Sequence, residues 1–548
     1  MKLPWGKPDN PLIYSNIAFS LIIICGVCLF LFFFRLAETG IMYPSWEPRR
    51  MLLAKDMVRN GHWLVPYLLG KPYILKPPVL PWLISASSLL VGSPSLWAAR
   101  APVALAGLIN VLVTFFFAKR LFNKRVGFLA ALILASSLFY IQRTRMAEED
   151  IILTLFINLS FFTFFLAYYY QATKRYYIFF YLFVALACLT KGPPGLSFPV
   201  LTIIPFLLLR RDIRAIRKME LLPWALIFGA LVVSWYIIAY AQSGAAEAQN
   251  FFVADIWHKF FPQEPGRPFY QYVVQLFAHF FPWSLFLPAL AIYIVTKKGK
   301  GERECSLFLL CWIITNLFFF SLAGAKRNEY ILPLYPALAM LTAQAWERFL
   351  ADKKDSLLKK MTLGGIFIFA FLAIGAGLFG PIFSLIKYPQ DLLWNGLLGL
   401  LLVLGGLTIL FFAKRRQYIA FFPVAAILMM GFIFTFTCHI APTYLRYTTP
   451  NEFCAKVAER VKSTDELISF KCQDEFIINE LDRMIKNIDE ELDLDRYLAG
   501  GKQVYIIMYG KEFLRLKDEK PQLQLVTLQE HFLKMKRSVA LVTNTVNQ

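Results

Sequence analysis

The sequence predicts an all-α polytopic membrane protein of about thirteen transmembrane helices, with a small C-terminal α/β domain outside the cytoplasm. Three observations carry this expectation. Hydrophobic residues fill 58% of the 548 positions and charged residues 17%, with a mean hydropathy of +0.53, which excludes an ordinary soluble globule. The apolar runs are continuous, where a β-barrel would alternate apolar and polar residues. Beyond Ile440 the composition turns polar and takes on the short periodicities of a soluble domain.

A helix that crosses a bilayer needs about 17–25 apolar residues. The runs read as spans are 17–34, 96–118, 126–141, 151–169, 176–190, 195–209, 221–241, 273–296, 305–323, 328–345, 362–380, 392–412 and 418–437. The first follows only Lys2 and Lys7 and lacks an A-x-A-like cleavage site, so it reads as an uncleaved anchor. Segment 79–92 is apolar but short and follows Lys76-Pro77-Pro78, so it is either a span or a helix lying along the interface. Charge decides between them. With 79–92 at the interface and the N-terminus inside, the basic clusters at 119–125, 174–175, 210–218, 297–303, 353–360 and 414–416 all face the cytoplasm. With 79–92 as a span they face outward, against the positive-inside rule. Most of the net charge of +21 sits in such clusters beside apolar runs, which suits topology and anionic lipid rather than nucleic acid.

The remaining polar stretches then share the outer face: 46–78, 143–150, 191–195, 242–268 and 323–330. Within the first outer loop (35–95), residues 46–78 hold Glu47, Arg49, Arg50, Lys55, Asp56, Arg59, Lys71 and Lys76 with Trp46, His62 and Trp63. Ionisable groups gathered at a membrane face point to a charged ligand, and an amphipathic segment in the headgroup layer is the plainer alternative. Six of the eight cysteines lie in or beside apolar spans and no CxxC pairs with another, so no zinc site is expected. Cys454 and Cys472 lie in the polar region, as free thiols or, outside the cytoplasm, as a disulfide. Gly364, Gly365, Gly375, Gly377, Gly396, Gly399, Gly405 and Gly406 mark close helix packing in the later spans.

In the C-terminal domain, 451–462 reads as a helix capped by Asn451, 466–470, 503–508 and 538–543 as strands, and 511–517 as a helix. Neither a nucleophile elbow nor a phosphate loop nor a metal motif occurs there, and His531 has no partner, so an accessory role is expected.

The outer-face bases Arg49, Lys76, Lys191, Lys326 and Arg327 suit a phosphate or pyrophosphate head group, since Arg offers forked bonds and Lys a compact charge. Glu47 and Asp150 are the candidate carboxylates for general-base work or metal binding, and helix N-capping is the structural alternative for Asp150. Arg145 sits in the 143–150 loop, and His258 and Arg267 sit in the loop that would close over a substrate.

Assembled, these pieces resemble the bacterial branch of membrane glycosyltransferases that use polyprenyl-phosphate sugars, related to protein O-mannosyltransferases and to the lipid A aminoarabinose transferase. The resemblance covers 17 to about 440 and rests on six motifs in order. They are Trp46-Glu47-Pro48-Arg49, the stretch from Gly61-His62-Trp63 to Lys76-Pro77-Pro78, Arg145 to Asp150, Leu189-Thr190-Lys191-Gly192-Pro193, Phe281-Pro282-Trp283-Ser284, and Lys326 to Tyr330-Ile331-Leu332-Pro333. It implies a GT-C fold over 1–440, a periplasmic domain over 441–548, and a bacterial inner-membrane location. It also implies inverting transfer of a sugar from a polyprenyl (undecaprenyl) phosphate to a lipid A, glycan or protein acceptor. The bases would hold the leaving phosphate, with Tyr330 beside them.

Two positions depart from that pattern. The family usually opens its first-loop motif with Asp-Glu, and here Trp46 takes the Asp position. The aminoarabinose branch tends to carry Glu before Lys-Pro-Pro, a residue implicated in metal binding, and here it is Leu75. The base is therefore expected among Glu47 and Asp150, with Asp150 the more essential and Glu47 orienting Arg49 or Lys76. A divalent metal stays open as a cofactor. Loss of the Asp favours a phosphate acceptor, already ionised, or an altered donor. Two rivals remain, a lipid-linked sugar transporter or flippase and a catalytically inactive relative that binds such lipids. A transporter places its charges at the midplane in repeated halves, whereas these gather on one face.

Overall fold

The structure is a computed structural model that describes residues 16–42, 45–170, 175–219, 221–244, 267–296, 299–324, 326–351, 356–500, 502–529 and 538–544. Helix α1 (Ile17–Cys28) continues through a π-helical turn to Phe33 and opens into the first loop. That loop holds α2 (Glu47–Asn60), the hairpin β1 (Tyr67–Leu68) and β2 (Lys71–Pro72), and α3 (Val79–Val91). α3 is the segment expected at the interface. Its 13 residues rise about 20 Å, short of a bilayer core of about 30 Å.

The following helices are α4 (Leu96–Leu121), α5 (Lys124–Ala135), α6 (Leu138–Thr144), α7 (Asp150–Tyr170), α8 (Arg175–Lys191), α9 (Pro194–Leu209), α10 (Ala215–Lys218) and α11 (Leu221–Ser243). After them come α12 (Gln271–His279), α13 (Leu287–Val295), α14 (Lys300–Leu322), α15 (Tyr335–Ala351), α16 (Ser356–Lys387), α17 (Leu392–Lys414), α18 (Phe421–Thr435) and α19 (Ala441–Thr448). Seven described helices are long and apolar enough to cross a membrane, or nine if each of two bent pairs is one span. The chain is a multi-pass membrane protein.

The two bends have local causes. At the first, 66° between α5 and α6, the Ser136 and Ser137 hydroxyls bond back to the carbonyls of Leu132 and Ile133 at 2.5 and 2.7 Å. At the second, 115° between α12 and 283–295, Pro282 supplies no N–H to continue the ladder. The two bends meet where the His279 ring at the end of α12 stacks on Phe139 of α6, close to the start of α7.

Between α16 and α17 a Cβ on Gly377 would lie 2.5 Å from the Gly399 carbonyl, so these two glycines permit a contact no larger residue allows. Gly365, Gly405 and Gly406 are equally crowded, while Gly364, Gly375 and Gly396 meet open space, so packing accounts for only part of the glycine pattern.

Beyond α19 the chain forms α20 (Asn451–Arg460), β3 (Glu466–Phe470), α21 (Glu475–Leu481), β4 (Lys486–Ile488), α22 (Glu491–Ala499), β5 (Val504–Tyr509), α23 (Gly510–Leu516), β6 (Gln524–Gln529) and β7 (Val539–Thr543). The sheet order is β4-β3-β5-β7-β6, with β3 parallel to β4 and β5 and with β7 antiparallel to β5 and β6. The expected strands and helices are present, and α21, β4, α22 and β6 are additions. Asn451 is the first helical residue, not the cap, because Pro450 takes the cap position with no side-chain bond. His531 lies outside the described residues. All eight cysteines are free thiols, so Cys454 and Cys472, both buried in the domain's core, form no disulfide.

Candidate active site

α6 ends at Thr144, and the chain turns through 145–149 before α7 begins at Asp150. One buried carboxylate pins this turn. Glu47, at the head of α2, accepts at Oε1 from the Ala147 N–H (2.7 Å) and Arg100 Nε (2.8 Å), and at Oε2 from Arg100 Nη2 (2.7 Å). Arg100 spends its remaining donors on the Leu36 carbonyl and Thr39 Oγ1, each at 2.8 Å, and on the Gly40 carbonyl at 2.6 Å. All five guanidinium N–H groups are thereby engaged. Glu47 orients Arg100 and the turn, not Arg49 or Lys76 as the sequence suggested.

The second buried group is different. Asp150 accepts from Lys191 at Oδ1 and from Arg143 Nη2 at Oδ2, the latter at 3.2 Å. Arg143 also pairs with Glu148. Glu149 lies 2.6 Å from Arg50 Nε, and Arg50 Nη1 donates to the Tyr73 hydroxyl at 3.0 Å. Glu329 is within electrostatic reach of Arg143 and Lys191, and it pairs with Arg327 Nε at 3.1 Å. The Lys191 ammonium stands 5.6 Å from the Tyr330 ring centre, and the Arg327 guanidinium 5.6 Å from that of Trp46. The ring of His279 stacks on Phe139 at 4.5 Å, with Arg143 at 5.7 Å from Phe139.

Lys191 is the last residue of α8, and glycines set its place. Gly192 has φ +79°, and a Cβ on Gly195 would fall 2.3 Å from the Cys188 backbone nitrogen, so α8 and α9 close into a tight hairpin beneath Lys191. Cys188, one turn below, lines an apolar cavity of about 570 Å³ between α8, α9 and α11.

The charges are crowded enough to shift protons. Burial pushes Glu148 up to about 7; Arg143 pulls it down, while Asp150, Glu149 and Glu47 push it further up. Burial opposes the charge on Arg50, but Glu149, Tyr73 and Glu148 outweigh it and raise its proton affinity above the usual arginine value.

Of the residues singled out from sequence, Asp150, Lys191, Arg327 and Tyr330 come together. Arg49 stands with its guanidinium 4.7 Å from the Trp46 ring centre and pairs with Glu475 of the C-terminal domain. Lys76 is half-buried in the turn before α3. Lys326 donates to the carbonyls of Arg267 (2.9 Å) and Ala323 (2.7 Å), and Arg267 Nη1 returns a bond to the Lys326 carbonyl (3.1 Å), so these two clip neighbouring loops together. Arg145 is turned to the carbonyls of Leu31 and Phe34 at 3.1 and 2.8 Å; burial, then the charge of Arg100, lowers it to about 10. His258 lies outside the described residues. Arg143, Glu148, Glu149, Arg50 and Glu329 were visible only as members of polar stretches. Arg100 had a signal of its own, a lone cation within an apolar run. Glu475 had none. Among the described residues no three His, Cys, Asp or Glu side chains gather to hold a metal ion.

This many-helix membrane bundle, with an acid–base cluster at one end and a small α/β domain beside it, is similar to known membrane glycosyltransferases in sequence and in fold. Residues 75–238 match the family model of dolichyl-phosphate-mannose-protein mannosyltransferases. Among the similar proteins are undecaprenyl phosphate-alpha-4-amino-4-deoxy-L-arabinose arabinosyl transferases. That of Aeromonas salmonicida is 30% identical over 60% of this chain and 61% of its own length, and that of Yersinia enterocolitica 27% identical over 74% and 76%. Against the Aeromonas relative, the match thus spans about three-fifths of the curated protein's length. The solved structure of ArnT from Cupriavidus metallidurans bound to undecaprenyl phosphate shares the fold, with a TM-score of 0.78 over 97% of this chain and 99% of that one at 20% identity.

Proposed function

We propose that this protein transfers a sugar, with inversion, from a polyprenyl (undecaprenyl) phosphate to a lipid A, glycan or protein acceptor at the periplasmic face of the bacterial inner membrane. The observation that carries this reading is the juxtaposition at the end of α8. A cation, Lys191, stands one helical turn beyond Cys188, which lines an apolar cavity of about 570 Å³. That shape suits a ligand with an anionic head and an isoprenoid tail. The printed activity of the Aeromonas relative and the undecaprenyl phosphate bound to the Cupriavidus structure support it.

In this reading Lys191, Arg143, Arg327 and Arg49 hold the donor phosphate. The acceptor oxygen attacks the anomeric carbon from the face opposite the phosphate, the carbon–oxygen bond breaks, and the electron pair leaves with the polyprenyl phosphate. Preorganised cations lower the cost of that charge. Asp150 holds Lys191 and Arg143 in register, and Glu148 beside it is pushed by burial up to about 7. A phosphate acceptor needs no base, while a hydroxyl acceptor passes its proton to the Glu148–Asp150 pair.

The reading includes thirteen passes, with the N-terminus inside and the 143–150 loop and C-terminal domain outside. The test of activity is transfer from radiolabelled undecaprenyl-phosphate sugar to lipid A or to a protein acceptor by the purified protein in bilayers; no transfer and no donor binding overturns the proposal. An impermeant thiol reagent tests the topology on single cysteines at positions 150 and 500 in cells with an opened outer membrane. Labelling only after the inner membrane is broken contradicts it.

A further inference from the structure

Helix α2 lies between the membrane domain and the C-terminal domain, and it meets the latter through three basic side chains. Lys55 Nζ donates to the Asn479 carbonyl at 2.9 Å and pairs with Asp482 at 2.9 Å, and Arg59 pairs with the same Asp482. Leu52 and Leu69 pack against the domain's core. These contacts fasten the two domains. Arg49 does something more. Its Nε lies 2.9 Å from both oxygens of Glu475, and its Nη2 lies 2.7 Å from Oε1. The same guanidinium stands 4.7 Å from the ring centre of Trp46 and 6.0 Å from that of Tyr73. Trp46 also meets Arg327, and the Tyr73 hydroxyl accepts from Arg50, the partner of Glu149. A continuous line of contacts therefore runs from Glu475, in the last hundred residues, to the cluster at Asp150.

An arginine presents its N–H groups as a planar fork with two usable edges. Glu475 takes the Nε–Nη2 edge and Tyr73 also bonds the guanidinium, so the fork is held in one plane with its remaining N–H groups left to meet an anion, in the charge-assisted manner that guanidinium and phosphate favour. A side chain with many rotamers is thereby fixed in one before any ligand arrives. We infer that Glu475 is a positioning residue of the donor site, supplied by the C-terminal domain, and that it sets the guanidinium of Arg49 for the donor phosphate. This rests on the reading that Arg49 meets a polyprenyl phosphate.

The test uses the full chain in nanodiscs, with undecaprenyl phosphate as the binding probe and its sugar conjugate as donor. Glu475→Gln keeps the size and an acceptor oxygen but loses the charge. It is expected to weaken probe binding and raise donor KM about tenfold, the scale of one charge-assisted bond, with acceptor KM unchanged. Arg49→Lys keeps the charge without the fork and is expected to match it, and the double variant should be no worse than Arg49→Lys alone, since coupled residues are not additive. Asp482→Asn cuts the other ion pairs of the seam without touching Arg49, and donor KM is expected to stay at the wild-type value. Unchanged or tighter probe binding in Glu475→Gln overturns the inference, as does an equal loss in Asp482→Asn, which would mean that docking alone matters. If the wild-type protein itself binds no undecaprenyl phosphate, the functional reading falls and carries this inference with it. Binding by the wild type with no effect at Glu475 overturns the inference alone.

Discussion

Glu47 and Asp150 are both buried carboxylates that receive bonds from buried cations, yet the two places are built on opposite terms. Around Glu47 the account is closed: one carboxylate, one guanidinium, and every donor of Arg100 matched to an acceptor. Around Asp150, Glu148, Glu149 and Glu329 crowd against Arg50, Arg143, Lys191 and Arg327, and one carboxyl is pushed up to about 7. A closed pair holds a structure in shape. On the proposed function, the crowded cluster near the apolar cavity is where the donor's anionic head is taken in.

The largest effect comes from breaking the closed pair. Removing one partner of a buried ion pair leaves the other uncompensated, at a cost of about 3–5 kcal/mol. Glu47→Ala or Arg100→Ala should therefore sharply lower the yield of folded, inserted protein and its midpoint in thermal unfolding. Wild-type midpoints in both variants would show that the pair is no scaffold.

Breaking the cluster should leave the fold and remove the chemistry. Lys191→Ala deletes a charge-assisted bond worth about 1.5–3 kcal/mol, so donor affinity or transfer rate should fall roughly ten- to over a hundredfold. Among the described residues Lys326→Ala loses bonds to two carbonyls, and it should move the same readouts by no more than about tenfold. Initial rates at limiting donor check both, and a larger loss at Lys326 than at Lys191 would reverse their roles.

Much of this contrast was hidden in the sequence. Hydropathy gave a multi-pass helical membrane protein because lipid demands long apolar runs, with seven described helices, or nine counting the bent pairs, long and apolar enough to cross. Asp150, Lys191 and Arg327 stood out because each is polar chain beside an apolar run, and Tyr330 through the family resemblance alone. The sequence could not say that Glu47 answers to Arg100, 53 residues on, or that Arg49 answers to Glu475, 426 residues on. Such pairings are set by tertiary packing, which has no periodicity to read. The partners of Arg145 and Lys326 were hidden for the same reason, since both donate to main-chain carbonyls that the folded chain brings within reach.

The smallest effect sharpens the comparison through pH. Glu148 is raised from an ordinary 4.5 to about 7, so the folded state binds its proton more tightly than the unfolded chain does. Stability from this group is accordingly greatest below about 4.5 and declines as pH rises to about 7. Glu148→Gln should flatten that decline in the unfolding midpoint. With a hydroxyl acceptor it should also remove a rise in transfer rate centred near 7, where the carboxylate forms. An unaltered profile in Glu148→Gln would assign the titration to another group.

The most direct test of the division between scaffold and chemistry sets Asp150→Asn beside Glu47→Gln in the same bilayers. Both changes are nearly isosteric, and each is scored for unfolding midpoint and for transfer from labelled undecaprenyl-phosphate sugar per folded molecule. Asp150→Asn should fold and lose about 10²–10⁴ in rate, whereas Glu47→Gln should lose stability and keep most of its rate per folded molecule. A stable but inactive Glu47→Gln beside a nearly normal Asp150→Asn would contradict the account and place the chemistry at the acid next to Trp46.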